Sequence, residues 1–208
     1  MDSLDTAQLV ALAAALGWAS GLRLYAVVFL TGLAGFLGWV ELPSGLRILQ
    51  SPVVLWASGT MLVVEFLADK IPFVDSMWDA VHTVIRIPAG AALAAVVFGG
   101  DHASWALVAA LAGGTLAATA HAAKSSTRAA VNTSPEPFSN VAVSLAEDGL
   151  VVFMLWLSAT HPVAFGIVLV ISIVLAIILL VVLVRFLRKV ISGLREFFKG
   201  RPLPRELG

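Results

Sequence analysis

The chain has no cysteine, a single tyrosine, and charge on only 12% of its residues. Without cysteine there can be no disulfide, thiol nucleophile or thiolate metal site, and the redox compartment stays open. Acids and bases balance at 13 each. The basic face that a nucleic acid requires is therefore missing, and nucleic acid is not an expected partner. Also absent are a Gly-rich phosphate loop, a His-Glu-x-x-His zinc pair and a Gly-x-Ser-x-Gly elbow, which removes the standard soluble enzyme classes. The opening Met1-Asp2-Ser3-Leu4-Asp5 carries acids where a secretory leader carries positive charge, so the first apolar segment is read as retained.

What remains is built for lipid. Hydrophobic residues make up 60% of the 208 and mean hydropathy is +0.98, values outside the soluble range. The expected fold is an all-α polytopic transmembrane bundle of about six membrane segments, some broken or re-entrant. Residues 1–185 form the membrane domain and residues 186–208 a basic amphipathic cytoplasmic tail. Leu9 to Val40 is too long for one straight span and too short for two with a loop. Half-helices meeting at Gly21 would place their freed backbone groups in a cavity or inside protein. A single tilted helix with a snorkelling Arg23 is the alternative. Crossing once puts the N-terminus on the cytoplasmic side, and a hairpin puts it on the opposite face.

Residues 51–68, 75–98, 104–120, 141–159 and 163–184 supply the other apolar spans. Gly113-Gly114 would let a neighbouring backbone approach. Residues 163–184 carry no charge, so their role is structural. Beyond them Arg185, Arg188, Lys189, Arg195, Lys199, Arg201 and Arg205 predict a cytoplasmic C-terminus, and with Phe186, Phe197 and Phe198 a helix lying on anionic lipid. Counting back puts Lys124, Arg128 and the 69–79 connection on the cytoplasmic side and Asp101 outside.

Charge inside such a chain needs a reason, because an ionisable group at membrane depth costs roughly 2.5–3.5 kcal/mol on insertion scales. Glu65 and Asp69 are one helical turn apart. Asp75, Asp79, His82 and Arg86 form one polar stripe on an otherwise apolar helix. A second, basic stripe runs through His121, Lys124, Arg128 and Asn132. The Pro-rich stretch to Asn140 then leads into Ser144, Glu147 and Asp148. Each half thus has a basic break followed by a Leu-Ala-acid motif, at Leu67-Ala68-Asp69 and Leu145-Ala146-Glu147. Interrupted segments in matching positions are a pointer to a transporter built from repeats.

The break Gly21-Leu22-Arg23-Leu24-Tyr25, the run Glu65 to Pro72 with Asp75-Ser76 and His82, and the run His121 to Asn140 resemble the small bacterial membrane proteins catalogued as domain of unknown function family 4126. The resemblance covers roughly residues 8–185. It implies a membrane location and a fold but no activity, so no catalytic residue is carried over. Glu65 to Lys70 is also distantly similar to the Glu-x-Gly-Asp-Lys motif of calcium and manganese exchangers, with Leu67-Ala68 standing where that motif has glycine.

These residues support three readings. In a transporter or permease, Glu65, Asp69, Glu147 and Asp148 bind an ion or proton. Arg23, Lys124 and Arg128, with His121, Asn132 and Asn140, neutralise them or receive an anionic group. Coupling to a divalent cation or a proton would suit oxygen ligands and buried carboxyls. In a membrane-embedded enzyme, Asp75 and Asp79 share magnesium on a lipid or polyprenyl phosphate, Arg86, Lys124 and Arg128 clamp the phosphate, and His82 and His121 act as bases. In a scaffold the charges serve packing alone, and Asp75 and Asp79 could lie in a solvated loop. The expected partners are the lipid bilayer and a small solute or ion, with a homo-oligomer left open. For a site, the two acid-and-base clusters must meet around a shared polar chamber.

Overall fold

The computed structural model describes residues 4–71, 73–99, 103–133 and 138–198, with side chains through Gly193. The predicted connection at Asp101-His102, the centre of the Pro-rich stretch and the tail beyond Phe198 lie outside them. Six α-helices follow in order: α1 (Thr6–Phe36), α2 (Pro52–Ala68), α3 (Val74–Val96), α4 (Ala103–Val131), α5 (Phe138–Thr160) and α6 (Pro162–Phe198), with a 3-10 turn at Ser44–Gln50 before α2. No strand occurs among the described residues.

Local chemistry sets the ends. Asp5 and Gln8 form a capping box on α1, each side chain accepting the other's backbone N–H at 2.7 and 2.9 Å. Ser51 caps α2 through Val54 N, with Pro52 at the first position, where its missing N–H costs nothing.

By length α1 could cross a membrane, but it does not run straight. Arg23 has φ −145°, ψ 76°, a single non-helical residue inside the helix. Before it, Val10 and Ala13 line a groove with Phe98 and Trp105, at the ends of α3 and α4 remote from the charged stripes. After it, Gly35 packs on Leu42 and Gly45 on the Val96 carbonyl, which is that same end again. Leu12 and Thr31 share one cavity with Val152 to Thr160 of α5. Helix α1 is therefore a re-entrant hairpin whose two ends lie at one face and whose tip is Arg23. The break falls two residues past the expected Gly21, because Gly21 is pressed against the Ala117 carbonyl and stays helical. Arg23, by contrast, is drawn to carboxylates on other helices.

The first arm is held by small residues. A Cβ on Gly17 would stand 2.5 Å from the Gly113 Cα, and one on Gly90 would be 3.1 Å from the Gly17 carbonyl. The expected approach at Gly113 is thus made by Gly17. Helix α6 has only Phe165 and Leu169 buried among its described side chains, and Val, Ile and Leu cover most of the rest. Its 37 residues span about 55 Å against a hydrocarbon core of about 30 Å. It continues through residue 185 without interruption.

Candidate functional site

On α3, Asp75, Asp79, His82 and Arg86 are buried, while Val81 and Val84 are exposed at 63% and 75%. A helix whose charges face inward and whose valines face outward is read from its lipid side. The stripe of α4, His121, Lys124 and Arg128, is buried in the same way, as are Asn140 and Glu147 of α5. The two stripes meet as one cluster drawn from α1 through α5, and the separate treatment that sequence suggested for residues 75–86 ends here. The solvated-loop reading of Asp75 and Asp79 is overturned, since both are at most 1% exposed.

Arg23 stands at its centre. Its guanidinium lies 2.9 Å from Asp69 Oδ2, 3.1 Å from Asp148 Oδ1 and 3.8 Å from Glu147. It also donates to the Ser144 carbonyl and hydroxyl at 3.2 and 2.8 Å. Arg128 mirrors it, 2.8 Å from Glu147 and 3.7 Å from Asp69, and it donates to the Asp69 and Asn140 carbonyls. The bases at the two breaks thus each hold acids from both halves of the chain. Lys124 binds Asp69 at 2.8 Å, lies 3.5 Å from Asp79 and Glu147, and donates to the Leu22 carbonyl next to the break. That bond satisfies a backbone group beside the break, as backbone irregularity at membrane depth demands.

Deeper along α3, Arg86 bridges Glu65 at 2.6 Å and Asp79 at 2.7 Å. Its Nη1 is 3.3 Å from His121 Nδ1. Because a guanidinium only donates, that nitrogen is unprotonated, and His121 Nε2–H donates to Thr83 Oγ1 at 2.7 Å. His82 takes the other tautomer. Its Nδ1–H donates to the Trp78 carbonyl at 2.8 Å and its Nε2 accepts from Tyr25 at 3.1 Å.

Toward the helix ends, Asn132 donates to Asp75 Oδ1 and Ser76 Oγ, both at 2.9 Å, and accepts from Asn140 at 2.8 Å. Asp75 gains from its place in the first turn of α3, about 0.3–1 kcal/mol and up to about 2. A buried carboxylate left without a cation costs about 3–5 kcal/mol, which is larger. In the turn between α2 and α3, burial pushes the Asp69 carboxyl up, but Lys124, Arg23 and Arg128 outweigh it and hold it below the usual carboxylate range. Burial pushes the neighbouring Lys70 ammonium down, against the pull of Asp148.

All fourteen candidate residues fall in this region. Tyr25, Thr83 and Lys70 were not anticipated in it. Only tertiary packing brings Tyr25 to His82, Thr83 to His121 and Lys70 to Ser144. The chamber does not take the expected form, since cations and carboxylates meet side chain to side chain. Two cavities lie elsewhere, and the larger, about 340 Å³, is lined chiefly by Leu, Val, Ala and Trp. Among the described residues no three of His, Asp and Glu are grouped to hold a metal ion. Asp75 turns to Asn132 while Asp79 turns to Arg86, so the two do not converge on one magnesium.

Apolar helices outside, paired charges inside and a re-entrant hairpin define a multi-pass membrane protein. The chain belongs to the family described as Domain of unknown function (DUF4126), whose model matches residues 10–182. No curated protein and no solved structure matches it.

Proposed function

We propose that the protein is a transporter or permease for an ion or small polar solute. One observation carries the reading: a helix broken at Arg23 ends inside the protein on acids from both halves of the chain, the arrangement from which solute sites at membrane depth are built. The cluster runs from Asp75 and Asn140 at the helix ends to Arg86. Arg86 lies twelve residues beyond Val74, or about 18 Å along α3. Past that depth the Gly17–Gly113–Gly90 seam closes the bundle. In this reading the cluster is the occluded half of a path, most of its charges paired internally until a solute exchanges for one of them. Glu65, Asp69, Glu147 and Asp148 then carry the ion or proton, and Arg23, Lys124 and Arg128 hold the path shut. We place the chain in a bacterial cytoplasmic membrane. Arg185, Arg188 and Lys189 at the far end of α6 make that face cytoplasmic, and the hairpin puts the N-terminus on the other side.

The test uses proteoliposomes enclosing a pH-sensitive dye, with an imposed potassium diffusion potential and external sodium, calcium, manganese or phosphate. Flux above that of empty vesicles, lost in Glu65→Gln and Asp69→Asn variants that still fold, supports transport. A wild-type protein that moves none of these probes overturns the reading.

A further inference from the structure

The charges of the cluster do not cancel. Among the described residues four buried cations, Arg23, Arg86, Lys124 and Arg128, face five buried carboxylates, Glu65, Asp69, Asp75, Asp79 and Glu147. Lys70 and Asp148 at the rim add one charge of each sign. One negative charge is left over, and the geometry identifies its owner. Glu65 lies on Arg86, Asp79 on Arg86 and Lys124, Asp69 on Arg23, Lys124 and Arg128, and Glu147 on Arg128. Among the described residues Asp75 is in contact with neutral donors only, the Ser76 N–H at 2.6 Å and the Asn132 amide at 2.9 Å. It is 0% exposed, and its Oδ2 is buried with no hydrogen-bond partner.

We propose that Asp75 is the seat of a single positive charge, a proton or an alkali cation, bound at Oδ2. The groups around it support this. Asp79 lies one turn further along α3 and repels a second negative charge. Arg128 of α4 spends its Nη1 on Asp69 and Asn140 and its Nη2 on Glu147. From the preceding turn, Asp69 is already held by Arg23 and Lys124. Asn132 and Asn140 are neutral. The helix end helps Asp75, but by less than the loss of a cation partner costs a buried carboxylate. A divalent ion would need more carboxylate oxygens than converge here, whereas one charge balances the cluster. In the transport reading this is the seat of the coupling ion, but the inference rests on charge balance and its test reads binding alone, so a protein that moves nothing would leave it standing.

The experiment measures thermal unfolding of the full chain in detergent at constant ionic strength. Choline is exchanged for sodium or potassium at fixed pH, and then pH is varied in choline alone. If an alkali cation binds, the wild type is stabilised by sodium or potassium, with a tenfold concentration step above saturation of the site raising the equilibrium constant of folding nearly tenfold. If a proton binds, the alkali arm is flat and the wild type gains stability relative to Asp75→Asn as pH falls. In either case Asp75→Asn, already neutral, loses the dependence. Should Asp75→Asn fail to fold, Asn132→Lys supplies the missing cation in place and must abolish the dependence as well. A wild type indifferent to both arms, or an Asp75→Asn protein that keeps the same dependence, overturns the proposal.

Discussion

Replacing Arg86 with methionine removes the only cation that touches Glu65 among the described residues. In the native protein Glu65 is 0% exposed and holds Arg86 at 2.6 Å. After the change its carboxylate is buried and unpaired, while Asp79 keeps Lys124 at 3.5 Å. Breaking a buried pair by deleting one partner costs about 3–5 kcal/mol, whereas replacing both partners with apolar residues is often neutral or better. For a chain of this size about 1 kcal/mol moves Tm by roughly 2–4 °C, so Arg86→Met should lower Tm by roughly 6–20 °C. The Glu65→Met, Arg86→Met double variant should recover most of that loss. The six tryptophans allow the measurement by intrinsic fluorescence in detergent. A double variant as unstable as the single one, or a single variant within about 1 kcal/mol of wild type, would refute the claim that the pair is buried and mutually dependent.

Other outcomes follow from the same geometry. Because the chain has no cysteine, Asp5→Cys, His161→Cys and Ser192→Cys can each be labelled with an impermeant maleimide. The first two should react from one side of the membrane and the third from the other, and labelling of residue 5 together with residue 192 would mean that α1 crosses. Gly17→Ala drives a methyl into the Gly113 backbone and should destabilise by about 1–3 kcal/mol in thermal unfolding. Gly149→Ala meets nothing within 4 Å and should instead stabilise, by up to about 1 kcal/mol. The folded-state pKa of Asp69 is depressed, so its contribution is fully present above the ordinary carboxyl value near 3.9 and is lost as pH falls through the lower folded value. Between pH 6 and pH 3 the Asp69→Asn protein should therefore lose less stability than wild type.

Much of this could be read along single helices. Spacing alone put Asp75, Asp79, His82 and Arg86 on one face, because a helix repeats every three to four residues whatever its neighbours are. The length of the first apolar run announced its break. The unbroken aliphatic run after Val163 announced α6. What did not show was pairing across helices. Nothing local joins Arg23 to Ser144 or Tyr25 to His82. Nor does spacing say that Asp75 would be buried among amides while Asp79, one turn on, found two cations. The position of the break was missed by two residues for the same reason, since it depends on the Ala117 carbonyl and on acids distant in the chain.

The seat of the hairpin tip also sets an order of biosynthesis. Arg23 leaves the ribosome early, but Ser144, to which it donates, is 121 residues further along the chain, and Glu147 and Asp148 come later still. Until α5 has been made, the guanidinium has only Asp69 to meet. A nascent chain halted before that helix would hold an arginine without its final partners, so the hairpin reaches its seat late, after most of the helices around it have already entered the membrane.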